Sequence, residues 1–216
     1  MTRTLLLGSI GVLAETSDLQ RRAFNRAFAE AGLSWIWSKP EYADMLGQSG
    51  GQDRVARYAA SRGEKVDAAA IHLAKSHHFQ DLLRSEGAVA RPGVRSTLAA
   101  ADRVGLVTTT SPENVGTLLA ALAPDVRMNQ FEVVIDRSQV SAVKPDPEAY
   151  HLALTRMRLL PRDVVAVEDN PPGAAAARAA GIKVIAFPGA MHEGADFGPV
   201  HATVTRLVLD NQANAA

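Results

Sequence analysis

The 216-residue chain is 47% hydrophobic and 21% charged, enough for one large domain, or a domain with a smaller insertion, around a sizeable core. Its 23 Lys and Arg balance 23 Asp and Glu, a formal charge of zero that argues against nucleic acid or an acidic membrane as partner. The absence of cysteine excludes disulfides, thiolate metal sites and a cysteine nucleophile and fits a cytoplasmic location, and no apolar run nears the roughly 18 residues of a membrane span.

Leu5 to Leu7 is a short apolar run broken by Gly8-Ser9-Ile10-Gly11, the pattern of a buried parallel strand feeding a tight loop. The same stretch has a competing reading as a short secretory leader: basic Arg3, then an apolar segment from Thr4 to Ala14, with a Val12-x-Ala14 cleavage site. From Asp18 to Ala31 the period changes to helical. Leu19, Ala23, Phe24, Ala27, Phe28 and Ala31 share one face, and Gly32 follows as a C-cap. Further helices are predicted over Pro40–Leu46, Gln52–Ser61 and Asp67–Ser85, so residues 17–88 read as all-helical.

Beyond Arg91-Pro92-Gly93 strands alternate with helices. Val94–Ala101 is a predicted helix, Val104–Thr108 a strand, and Pro112–Ala123 a helix capped by Ser111. Phe131–Ile135 is a strand, and Asp146 caps a helix begun by Pro147 that runs to about Arg158. Val164–Val167, the Ala-rich helix Pro172–Ala180 closed by Gly181, and the strand Ile182–Phe187 complete the pattern; Asn211–Ala216 reads as a frayed tail. The alternation predicts an α/β, Rossmann-like parallel sheet wound on both faces, formed by residues 1–15 and 90–216, with an inserted all-helical cap over residues 16–89. That core needs its first strand, which favours the strand reading over the leader. Ligands in such a core bind beyond the carboxyl ends of the strands, so Gly8–Gly11, Thr108–Ser111, Lys144 and Glu168–Asn170 are expected around one crevice under the cap.

Those segments carry a resemblance. Gly11-Val12-Leu13-Ala14-Glu15-Thr16, Arg21-Arg22-Ala23-Phe24-Asn25, Val107-Thr108-Thr109-Thr110-Ser111-Pro112-Glu113-Asn114-Val115, Lys144-Pro145-Asp146-Pro147 and Val167-Glu168-Asp169-Asn170 with Gly173 occur in family order and spacing. Together they resemble the haloacid dehalogenase-like hydrolases, in the β-phosphoglucomutase-like branch that includes xylulose-bisphosphate phosphatases. The resemblance implies phosphoryl transfer. Thr108, Thr109, Lys144 and Arg21 would bind phosphate or substrate, and Glu168 and Asp169 would hold Mg²⁺. The roles are chemically apt: hydroxyl and ammonium donors suit phosphate oxygens, and paired acids suit a hard cation.

The departure lies in the family's first motif, Asp-x-Asp-Gly, which here reads Gly8-Ser9-Ile10-Gly11. Gly8 stands at the nucleophile position and Ile10 at the general acid/base position; neither offers a nucleophile, a proton or an anionic ligand. Ser9 is one residue out of register, and strand alternation predicts that it points away from the crevice. Ser17 and Gln20 replace the Glu and His that sugar bisphosphatases carry after the Glu-Thr pair, while Arg21 remains. Loss of a nucleophile costs about 10⁴- to 10⁶-fold in rate in hydrolases.

The leading expectation is therefore a catalytically impaired hydrolase fold that still binds a small phosphorylated metabolite or inorganic phosphate, with Mg²⁺ held weakly at best. One alternative is an active Mg²⁺-dependent phosphatase using another carboxylate such as Glu15. The other is a non-enzymatic regulatory or partner-binding protein. His72, His77 and His78 lack one-turn metal spacing and read as a solvated helix face. Trp35 and Trp37 read as packing, and His192 and Glu193 as surface loop.

Overall fold

The computed structural model describes residues 3–209; the tail predicted at Asn211–Ala216 lies outside them. Six strands form one parallel sheet in the order β3-β2-β1-β4-β5-β6. They are β1 (Thr4–Leu7), β2 (Arg103–Val107), β3 (Val133–Ile135), β4 (Val165–Glu168), β5 (Lys183–Ala186) and β6 (Ala202–Thr203). β1 is central, paired to β2 through Leu6↔Gly105 and to β4 through Leu6↔Ala166. The chain leaves β1 and returns on either side of it, which opens a crevice at the carboxyl end of β1.

Both sheet faces are covered. α6 (Val94–Ala100) and α7 (Pro112–Leu122) pack Leu98, Val115, Leu118 and Leu122 with Leu5, Leu7, Val104 and Leu106. On the other face α8 (Glu148–Met157) and α9 (Pro171–Ala179) pack Tyr150, Ala153, Ala174 and Ala177 with Leu6, Val107, Ala166 and Val184. The alternation of Leu5, Leu6 and Leu7 between the two clusters is the two-residue period of a strand buried on both sides.

After β1 the chain makes a four-residue helix, α1 (Ile10–Leu13), where sequence reading placed only a loop. The cap follows as α2 (Ser17–Glu30), α3 (Lys39–Asp44), α4 (Gly51–Ser61) and α5 (Ala68–Glu86). It has its own aromatic core of Phe24, Phe28, Trp35, Trp37 and Tyr42. Trp37 lies 4.6 Å from Phe28 and 4.8 Å from Phe24, so both tryptophans are packing residues. The chain enters and leaves the cap through an antiparallel bridge, Ala14↔Ala90, with Arg91 N–H donating to Leu13 O at 2.9 Å.

Element ends differ from the sequence reading by a residue or two. Asn170 caps α9, accepting from Gly173 N–H, so that helix starts at Pro171. Asp146 accepts from Glu148 N–H, but α8 begins at Glu148 with Pro147 at its N-cap, one residue later than expected, and Gly32 and Gly181 close their helices at positive φ.

Candidate functional site

A cleft of about 490 Å³ lies between the carboxyl ends of the strands and the cap. Its floor includes the Ser9–Gly11 turn. Ser9 lines the cleft, contrary to the alternation argument, because the strand ends at Leu7 and Ser9 begins a helix. Its hydroxyl is committed as a cap, accepting from Gly11 N–H at 3.0 Å. Ile10 also borders the cleft, but it is buried and belongs to the core cluster beneath α7.

Glu168 turns inward rather than toward the cleft. It is fully buried, and its Oε1 accepts from Lys144 Nζ at 2.7 Å and from Tyr150 Oη at 2.6 Å. A methyl group built on Gly8 would overlap Glu168 Oε1, and one built on Gly173 would overlap Oε2. The carboxylate thus fills space that any side chain at position 8 would need. Burial pushes the Glu168 carboxyl above its ordinary value, opposed by the adjacent Lys144. Lys144 Nζ also donates to Val107 O at 2.8 Å and to Gly8 O. With Glu168 as third partner, all three ammonium donors are used inside the protein.

Thr108 is buried as well, its Oγ1 accepting from Thr110 N–H at 3.1 Å. Arg21 donates to Asp18 and to Trp37 O, clamping the cap. Of the four residues expected to bind phosphate, only Thr109 is on the cleft wall, joined there by Thr110 and Ser111; Thr108, Lys144 and Arg21 are not. Asp169 does line the cleft; it accepts from Asn170 Nδ2 at 2.8 Å. Glu15 is exposed and accepts from Ser17 N–H at 2.9 Å and Ala190 N–H at 2.6 Å, away from the cleft lining.

These placements decide the fit of Mg²⁺. The site would draw on Ile10 O, Glu168 and Asp169, but the Glu168 carboxylate is engaged by a lysine and a tyrosine, and position 8 supplies no anion. Among the described residues no three His, Asp or Glu side chains converge as a metal site. The residues present do not fit the ion.

The cap wall carries groups that the sequence reading passed over. Lys75 of α5 is buried, donates to Gln20 Oε1 at 2.6 Å, and has no carboxylate partner among the described residues. Burial first, and then Arg54, pulls its ammonium down to about 7. It falls on the apolar stripe Ile71, Lys75, Phe79, Leu82, and a lysine in such a stripe is a legible signal. Nearby His72 is half-buried in the cleft wall, where burial, Lys75 and Arg54 pull it down to about 4. Only His77 is solvated as expected; His78 bonds Glu30 at 2.7 Å. His192 is buried and lines the cleft, correcting its reading as surface loop, whereas Glu193 is exposed. No local pattern around His192 marks it, because its short turn after Gly189 folds back over the site.

Arg91 fastens the cap's exit to this site. It donates to Gly11 O at 3.0 Å, Phe187 O at 2.9 Å and Pro188 O at 2.6 Å, and its guanidinium lies 3.4 Å from the Phe187 ring centre. Arg91→Ala is expected to lower unfolding free energy by about 2–4 kcal/mol, read as a lower urea midpoint at unchanged slope. Arg91→Lys should recover less than half, because an ammonium cannot stack and fork as a guanidinium does.

The geometry has a sequence counterpart. Residues 2–181 match the family model described as haloacid dehalogenase-like hydrolase. The chain belongs to this family. It is 39% identical to protein CbbY of Cereibacter sphaeroides over 199 residues, 88% of this chain and 85% of that one. Against protein CbbY of Rhodobacter capsulatus it is 35% identical over 202 residues, 90% of this chain and 89% of the other. The crystal structure of CbbY from Rhodobacter sphaeroides in complex with phosphate superposes with a TM-score of 0.87 at 34% identity, covering 95% of each chain. A mutant of that protein, solved with xylulose-(1,5)bisphosphate, gives the same TM-score and coverage. By family and fold the chain is therefore a haloacid dehalogenase-like protein similar to CbbY, and phosphatases of that family generally use Mg²⁺. No helix among the described residues is long and apolar enough to cross a membrane.

Proposed function

We propose that this chain is a non-catalytic member of the family that binds a small phosphorylated metabolite, a phosphosugar or inorganic phosphate, in its cleft, and works in the cytoplasm. One observation carries the reading: the Glu168 carboxylate, paired to Lys144, fills the space beside Gly8 where a nucleophile would stand. Ile10 belongs to the core, Glu15 is held by two backbone N–H groups, and Asp169, the carboxylate on the core side of the cleft, accepts from Asn170 Nδ2. The ligand class is supported by the relatives solved with phosphate and with xylulose-(1,5)bisphosphate. Thr109, Thr110 and Ser111 on the core side and Lys75 and Arg54 on the cap side are the donors that would take it. Thr108, Lys144 and Arg21 serve by shaping the loops and the cap.

The test is phosphate release from a panel of sugar phosphates that includes xylulose 1,5-bisphosphate, with and without Mg²⁺. Asp169→Asn serves as the control for contaminating phosphatase. The expected result is release no faster than the control, together with a saturable calorimetric signal for the bisphosphate or for inorganic phosphate. Turnover near about 1 s⁻¹ that disappears in the control would overturn the reading. Absence of any binding heat would leave the fold to a protein partner. Gly8→Asp is expected to stay at background activity and to lose about 1–3 kcal/mol of stability, because the new side chain overlaps a buried carboxylate.

A further inference from the structure

A second cavity, of about 560 Å³, lies at the opposite end of the sheet from the cleft. Its floor is apolar sheet surface, Leu5, Val165, Val167 and Ile185, crossed by the extended chain at Leu207–Leu209. Val165 and Ile185 remain half-buried, so α6 and that final segment do not close the face over β4 and β5.

Two features of the wall are polar and unsatisfied. The hydroxyls of Thr4 and Thr97 are buried and line this cavity, and neither has a hydrogen-bond partner among the described residues. A buried polar group left so costs about 1–3 kcal/mol, which a bound acceptor would recover. Four cations border the cavity. Arg103 is engaged by Glu132 at 2.7 and 2.5 Å, and Arg3 lies 3.9 Å from Asp102. Arg162 and Lys183 have no ion-pair partner among the described residues. The one acid in the lining, Asp163, already accepts from Leu160 N–H at 3.1 Å.

We propose that this cavity binds a small anionic amphiphile, a medium-chain carboxylate whose alkyl body lies on the apolar sheet surface and whose head group meets the Thr hydroxyls and the unpaired Arg162 and Lys183. The volume lies within the roughly 300–1,000 Å³ of small-molecule sites, and an apolar floor with a few convergent donors is their usual chemistry. Charge complementarity favours an anion: four cations line the cavity against one carboxylate, Asp163, and two of the four have no ion-pair partner among the described residues.

The experiment is calorimetric titration of the full-length protein with octanoate, and with octan-1-ol as the uncharged comparator. Octanoate is expected to bind saturably at one site per chain, with octanol at least about tenfold weaker. Joint Arg162→Glu and Lys183→Glu should weaken octanoate by at least about tenfold while leaving octanol unchanged. Val165→Trp, which fills the floor, should abolish both. Should that variant not fold, Thr97→Val keeps the shape, and it must weaken octanoate without lowering the melting temperature. Equal binding of octanol and octanoate, or octanoate heat indifferent to all these changes, would overturn the proposal. So would a dimer that Val165→Trp dissociates in the absence of any octanoate heat, which would assign this face to a second copy of the chain.

Discussion

Lys144→Ala is expected to destabilise the protein by about 3–5 kcal/mol, the range for breaking a buried ion pair from one side. The substitution strands three acceptors: the Glu168 carboxylate, Val107 O and Gly8 O. Tyr150 Oη remains as the only donor to Glu168, and Oε2 has no partner even in the intact protein. The loss should depend on pH. Burial already raises the Glu168 carboxyl above its ordinary 4.5, and removing the ammonium raises it further. A carboxyl raised in the folded state retains a proton that the unfolded chain has released. The variant is therefore most stable below the unfolded value, and it loses stability as pH rises through the folded one. Urea midpoints at pH 5 and pH 8 check this. The variant should fall further behind the parent at pH 8, and Lys144→Met combined with Glu168→Gln should recover at least half of the loss. A loss that is the same at both pH values would mean that Glu168 is not ionised against Lys144.

Binding of a phosphosugar near pH 8 is expected to take up a proton, and Lys75 is its destination. In the free protein burial holds this ammonium down to about 7, against an ordinary 10.5, so at pH 8 it is mostly neutral. A dianion in the cleft favours the charged form, and affinity should then fall as pH rises above 7, by up to about tenfold per unit. Calorimetry of xylulose 1,5-bisphosphate in Tris and in HEPES reads the uptake directly, as a difference in heat between the buffers. Lys75→Met should abolish that difference and weaken binding by about 1.5–3 kcal/mol, the worth of a hydrogen bond to a charged group. The same depressed value acts on folding. Between about 7 and 10.5 the unfolded chain holds a proton that the folded chain lacks, so stability rises with pH across that window by on the order of a few kcal/mol. Lys75→Met should flatten the slope. An unchanged slope in that variant would place the titration elsewhere.

The core strands were legible because each buried run is short and bounded by turn residues, as Leu5–Leu7 is by Gly8. The cap helices were legible from their period and caps. β6 was not: two residues, Ala202 and Thr203, carry no periodicity and are a strand only because Ile185 and Ala186 offer a free edge. At the site Gly8 and Ile10, where the family resemblance leads one to expect carboxylates, could be read directly. What replaces them could not, because the inward turn of Glu168 depends on Tyr150, 18 residues earlier, and on space shared with Gly173. Lys75 was present in the helical stripe but overshadowed by the histidines beside it. His192 reaches the cleft through tertiary folding alone.

The occupation of Gly8's space by Glu168 bears on how such a chain changes over generations. An acidic side chain at position 8 would need the space in which Glu168 and the Tyr150 hydroxyl now lie. A chain that acquired one would have to move Glu168 and give Lys144 another anion at the same time. Positions 8, 144, 150 and 168 are therefore expected to change together rather than singly, a coupling set by a few cubic ångströms.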